Sequence, residues 1–242
     1  MTTFLNIHNP KIMITITDIQ NYRDEFGNII YYDGPGLTNV KVTFYGHNNK
    51  LYINKASKIK DVALRFDCDN GICHIGKNSF TGHIRLGYEC MVDIGDNVSC
   101  TDKCYISTAE RSMVKIGNDC MIASSVEIRS DDAHPIFYIE SEKRINNSES
   151  ITIGEHVWIG ARVTLLAGSN IGNGSIIGLG SIVKGSFPNN VIIAGIPARL
   201  IKKDVAWERP HLNLTKPYIK DNASTISKSI YWNKTVETSL NE

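Results

Sequence analysis

The 242-residue chain carries 26 Lys plus Arg against 25 Asp plus Glu, a net charge of +1, so no field exists to hold a polyanion by counterion release, and nucleic acid is not an expected partner. Ile occurs 34 times against 12 Leu and 11 Ala; β-branched Ile suits pleated surfaces better than helices, which excludes a helical bundle. No apolar run reaches 18 residues and no charged start precedes an apolar segment, so neither a membrane span nor a signal peptide is expected and the chain reads as cytoplasmic.

In chain order, residues 1–39 read as an N-terminal β-rich cap, with Tyr32-Asp33-Gly34-Pro35-Gly36 as a turn. β-rich stretches then begin near residue 40. Aliphatic-Gly marks follow at Ile75-Gly76, Leu86-Gly87, Ile94-Gly95 and Ile116-Gly117, and Ile122 and Ile128 continue them. From residue 153 the pattern is strict. Ile153, Ile159, Leu165, Ile171, Ile177 and Val183 open six successive hexads, with Val157, Val163, Ser169, Ser175 and Ser181 four places on. A period of six fits neither a helix nor a long alternating strand, but it does fit a short strand plus a corner, repeated. Three such sides close a coil of 18 residues, the spacing of Ile153 and Ile171. Aliphatics point to the axis of the stack and small residues sit in the corners. Trp158, at the sixth place of its hexad, leaves the column.

One interval breaks the rhythm. Ile116 to Ile153 is 37 residues, one coil plus about 19, and the frame places the insertion at 134–152. A long loop on a rigid solenoid carries function more often than structure, so the site is expected there. The column is assigned to residues 40–203 and a mixed polar tail to 204–242, expected to form a short cap or to pack on a neighbouring subunit. The six cysteines read as reduced thiols, and Cys100 and Cys104 lack the second pair of a zinc site. The Asn146–Ser148 triplet reads as a chance glycosylation match.

The hexads, His134-Pro135 at the head of the insertion, Val157-Trp158-Ile159-Gly160, Gly178-Leu179-Gly180-Ser181 and Gly195-Ile196-Pro197-Ala198-Arg199 resemble the hexapeptide-repeat acyltransferases, most of all bacterial O-acetyltransferases of surface polysaccharides, including polysialic acid types. The resemblance runs from about residue 75 to Arg209. It implies an all-β, left-handed parallel β-helix, and a homotrimer with acetyl-CoA bound in clefts between subunits. The implied activity is transfer of an acetyl group to a hydroxyl of a surface polysaccharide or its sugar precursor.

Removing a proton from an alcohol at neutral pH requires a base, and neutral imidazole suits the task. His134 matches the family's catalytic His. His8, His47 and His211 lie outside the repeats, while His74, His83 and His156 occupy variable hexad positions and read as surface or structural. Asp131, Asp132 and Glu140 are near enough in sequence to orient His134, and Asp132 is the one expected. Trp158 matches an active-site Trp of the family, and a backbone N–H near Trp158 or Gly160 is expected to bind the developing oxyanion. The coenzyme is assigned to Gly160, Ala161, Arg162, Gly178, Leu179, Gly180, Lys184, Arg199 and Lys202. Lys184-Gly185 departs from the Thr-Lys of many relatives. Tyr138, Lys143 and Arg144 are expected to meet the acceptor, and no metal is expected. The rival readings are a nucleophilic Cys104 or Cys120, N-acyl transfer to an amino sugar, metal chemistry of the γ-carbonic-anhydrase type, and a non-catalytic glycan-binding solenoid.

Overall fold

The computed structural model describes residues 13–236; residues 1–12 of the expected cap, with His8, and the last six of the tail lie outside the described residues. Among the described residues nearly all regular structure is β, arranged as three sheets that form the sides of a column. Face A runs from Ile14–Ile16 to Ile182–Val183, face B from Tyr22–Arg23 to Ser186–Phe187, and face C from Ser99–Cys100 to Ala198–Lys202. Successive coils visit B, C and A in turn, as in Ile151–Ile153, Trp158–Ile159 and Thr164–Leu165. The column therefore has three edges, B/C, C/A and A/B.

Register follows the hexads. Ile153 pairs with Ile171, Ile159 with Ile177 and Leu165 with Val183, all in parallel. These side chains are buried in the axis, each contributing about 2 kcal/mol of apolar burial. The small fourth residues seal the corners, where Ser169 Oγ donates to the carbonyls of Leu166 and Val183, and Ser181 Oγ to that of Gly178. A larger side chain would both overfill the corner and leave those carbonyls without a donor.

The long interval is an excursion from an unbroken ladder. Ile116 pairs directly with Ile153, Ile122 with Ile159 and Ile128 with Leu165. The extra chain leaves face A after Glu127–Arg129 and rejoins face B at Ile151–Ile153, so it stands on the A/B edge. Ile151 and Thr152, counted in the insertion by sequence, already form a rung with Val114 and Lys115. The last coil is short: Ile171 pairs with Phe187, only 16 residues on. Gly185, at φ 95°, makes the tight corner this requires, which accounts for the unusual Lys184-Gly185.

At the N-terminal end Ile29–Tyr31 already stacks in parallel on Lys50–Ile53, so the coils begin within the stretch read as a cap. Ile14–Ile16 and Tyr22–Arg23 add antiparallel strands there, covering edges that would otherwise pair with other chains. Beyond the hairpin of Ile192–Gly195 and Ala198–Lys202, the tail folds back on its own column along the B/C edge. Arg209 Nε donates to Asp119 Oδ1 at 2.7 Å, and its Nη2 donates to the carbonyls of Asn97, Asp119 and Cys120.

Candidate active site

The excursion is a small hairpin. Tyr138 N–H donates to Lys143 O, and Ile145 N–H to Ile136 O. His134 stands at its foot, exposed, with no side-chain hydrogen bond among the described residues. Asp132 touches His134 through the backbone, its carbonyl accepting the His134 N–H at 2.8 Å, while its carboxylate accepts from Asn146 Nδ2 at 3.1 Å. The expected pairing of Asp132 with the His134 ring is therefore not formed within one chain.

Asn146, Glu110 and Ser148, which the sequence reading gave no role, hold this foot in place. Asn146 donates to His134 O at 2.8 Å and accepts from Ile136 N–H at 2.7 Å, bracing both sides of the imidazole-bearing turn. Glu110, from the coil beneath, receives a bidentate grip from Arg144 and further hydrogen bonds from Ser148 N–H and Oγ. Arg144 and Ser148 hold the Glu110 carboxyl down at about 2. Arg144, expected to meet an acceptor, is instead an anchor, because its guanidinium is taken up by Glu110. Asp131 is buried, accepts from Ser107 Oγ and from Ala133 N–H, and fixes the departure of the loop from face A. Tyr138 and Lys143 remain exposed on the hairpin, where the acceptor role was expected.

Trp158 points outward from face C and is 39% exposed, in a row with Met121, Ile176 and Ile192. Its ring centroid lies 6.0 Å from that of Trp207. Trp207 in turn stacks on His156 at 4.1 Å and donates from Nε1 to the His156 carbonyl. His156 is buried, with Tyr231 stacked at 4.7 Å on it, Nδ1 2.5 Å from Asp119 Oδ2 and Nε2 3.0 Å from Trp207 O. Burial raises the Asp119 carboxyl, but hydrogen bonds from His156 and Arg209 outweigh it and hold it below its ordinary value.

The glycines and their neighbours assemble on the C/A edge. Gly180 N–H donates to Ala161 O and Arg162 N–H to Ser124 O, which stacks successive corners. Leu179 and Ile196 are exposed there, and Arg199 and Lys202 lie on the closing hairpin. Lys184 stands apart, on the A/B edge two coils beyond the hairpin toward the C-terminal end. Two of the amides in that stretch are taken by the ladder: Trp158 N–H donates to Ser175 O and Gly160 N–H to Ile177 O. The Cys rivals are also poorly placed. A hydrogen bond with Cys100, then burial, raises the Cys104 thiol well above its ordinary value, and burial pushes Cys120 up to about 12; both shifts disfavour the thiolate a nucleophile needs.

No family model matches the chain. It is 34% identical to a polysialic acid O-acetyltransferase of Neisseria meningitidis over 130 residues, 52% of this chain and 60% of that one. With a polysialic acid O-acetyltransferase of Escherichia coli O1:K1 / APEC the identity is 45% over 109 residues, 45% of this chain and 33% of the relative. The chain thus spans less than two thirds of the length of these curated relatives. The crystal structure of the polySia specific acetyltransferase NeuO superposes with a TM-score of 0.73 at 35% identity, over 76% of this chain and 79% of that one. The chain belongs to the hexapeptide-repeat acyltransferases. Its column is the left-handed parallel β-helix of that family. Among hexapeptide-repeat acyltransferases of this shape, the excursion on the A/B edge and the Trp-bearing face C are the two features that chemistry has to connect.

Proposed function

We propose that this protein is an acetyl-CoA-dependent O-acetyltransferase acting on a hydroxyl of a bacterial surface polysaccharide, with polysialic acid as the first acceptor to test. The observation that carries the reading is the excursion, which sets one imidazole on an exposed hairpin braced from below by Glu110 and across by Asn146. His134 takes the proton of the acceptor hydroxyl as that oxygen attacks, a role worth about 100- to 10,000-fold where measured.

The C/A edge suits a long, anionic acyl carrier. A Cβ added to Gly180 would meet nothing within 4 Å, so the backbone there is open to close approach. Exposed Leu179 and Ile196 offer apolar surface, Arg199 and Lys202 offer cations, and the Ala161 N–H makes no hydrogen bond among the described residues. The carrier supplies an activated thioester carbonyl. Ala161 N–H is the donor assigned to its oxygen, in place of the two engaged amides.

His134 lies on the A/B edge and Trp158 on face C, which is the side opposite that edge in a three-sided column. The pair meets only when two copies stand side by side, and the assembly proposed for such composite sites is the homotrimer that the family resemblance implies. Lys184, on the same edge as His134, then joins the neighbour's coenzyme residues across the cleft.

The test is turnover: acetyl-CoA with α2,8-linked polysialic acid, followed by free thiol release and by ester formation on the polymer. Ester that disappears in His134→Ala supports the reading. Undiminished ester formation in that variant, or no thiol release with any surface polysaccharide, overturns it.

A further inference from the structure

Face B carries a row of outward side chains that the acetyl-transfer site does not use. Tyr31, Tyr52, His74, Asp93, Lys115 and Thr152 occupy consecutive rungs in direct parallel register. At about 4.8 Å per rung the row is about 24 Å long. It forms the floor of a groove of about 1000 Å³. Its wall is the B/C edge, from Asp33 to Asn173, and Asn21, whose Oδ1 accepts from Tyr32 N–H, stands at the N-terminal end.

The floor and the wall differ in how their polar groups are satisfied. The wall is rigid and internally paired: Asn118 Oδ1 accepts from Asp96 N–H and its Nδ2 donates to Glu155, while Asn173 accepts from Glu155 N–H. On the floor, the Tyr31 and Tyr52 rings stack at 4.8 Å with 10° between planes, and Tyr52 meets His74 edge-on. That stacking fixes the rings and turns their hydroxyl edges outward. Neither phenol, nor the Lys115 ammonium, nor the Thr152 hydroxyl has a hydrogen-bond partner among the described residues. His74 and Asp93 stand 3.9 Å apart, each about a third exposed or more.

A regular row of donors and acceptors along an aromatic ladder matches a linear chain of hydroxyl-rich units. It does not match an extended peptide, which needs a free sheet edge, nor an apolar ligand. The charge decides the class further. Asp33, Asp93, Asp96 and Glu155 line the groove against Lys115, so a polyanion is repelled. We infer that this groove binds an uncharged oligosaccharide lying along the column, at a site separate from acetyl transfer. The inference goes beyond the proposed activity and does not depend on it, since His134 has no part in the groove.

The experiment is an array of neutral and acidic bacterial oligosaccharides of four or more sugars, probed with the full chain, with His134→Ala and with the Tyr52→Ala/His74→Ala double variant. Thermal melting of each protein checks that it is folded. Wild type and His134→Ala are expected to retain neutral oligosaccharides, and the double variant to bind them at least about tenfold more weakly. Amine acylation provides a second readout: Lys115 should react in the free protein and be protected by the glycan. Absence of neutral binders, preference for acidic ones, equal binding by the double variant, or a Lys115 already shielded without glycan by another copy of the chain would each overturn the inference. Loss of acetyl transfer in His134→Ala with glycan retention intact separates the groove from the catalytic reading.

Discussion

Arg144 holds Glu110 through paired guanidinium–carboxylate hydrogen bonds, the Nη2–Oε2 contact being 2.9 Å, and so fastens the His134 hairpin to the coil beneath it. Bidentate pairs of this kind add geometric control to charge. Glu110→Gln should therefore leave the column intact and loosen the hairpin. The expected outcome is a melting temperature within about 2 °C of wild type, with proteolytic cleavage near Ile139, which is 97% exposed, several-fold faster.

The same pair sets a pH dependence. Glu110 has its folded carboxyl lowered from 4.5 to about 2 by Arg144 and Ser148. A lowered acid favours the folded arrangement above its unfolded value and loses that contribution as pH falls through the folded one. Hairpin anchoring should thus hold through mild acid and weaken between about 4.5 and about 2. Limited proteolysis across that range, with Glu110→Gln as the pH-insensitive control, measures it. Release beginning near neutrality would contradict the assignment.

Asn146 bonds to the backbone on both sides of His134 without needing to touch the acceptor. Asn146→Ala removes four side-chain hydrogen bonds, the two to backbone being the shortest at 2.7 and 2.8 Å and worth about 1 kcal/mol each, and displaces the base. The expected outcome is a fall in kcat of about 10- to 100-fold with KM for acetyl-CoA little changed. A change confined to KM would place Asn146 in binding instead.

The B/C edge depends on the tail. Arg209 makes five hydrogen bonds to Asn97, Ser99, Asp119 and Cys120, at contacts of 2.7–3.1 Å, and leaves Asp119 partly buried if removed. Arg209→Ala should cost about 2 kcal/mol and lower the melting temperature by about 4–8 °C. Because Trp207 rests against Trp158, the intrinsic fluorescence should shift at the same time.

What could be read in the sequence follows from the range of the forces involved. Each hexad aliphatic answers a local rule, one inward position in every six, so Ile153 to Val183 mark the column, and the 37-residue gap from Ile116 marks an excursion. Outward placement of Trp158 followed from the same frame. The bracing did not. Glu110 and Arg144 are 34 residues apart, and Asp119 and Arg209 are 90 apart; no periodicity links them, and Asn146 and Ser148 looked like a chance triplet. Arg144 was assigned to the acceptor because a loop cation without its partner in view looks available. Which amide near Trp158 and Gly160 stays free is likewise not legible in the sequence, since parallel ladders leave few backbone donors free, whichever residues carry them.

The claim on which the rest depends is that His134 of one copy works with Trp158 of another. Mixing His134→Ala and Trp158→Ala subunits, each inactive alone, and letting them reassemble tests it most directly. Random assembly into composite sites should restore about a quarter of wild-type turnover, since only a site drawing its His134 from one variant and its Trp158 from the other is intact. If reassembled mixtures stay inactive while unmixed wild-type subunits recover under the same treatment, the two residues serve one chain and the account of the site is wrong.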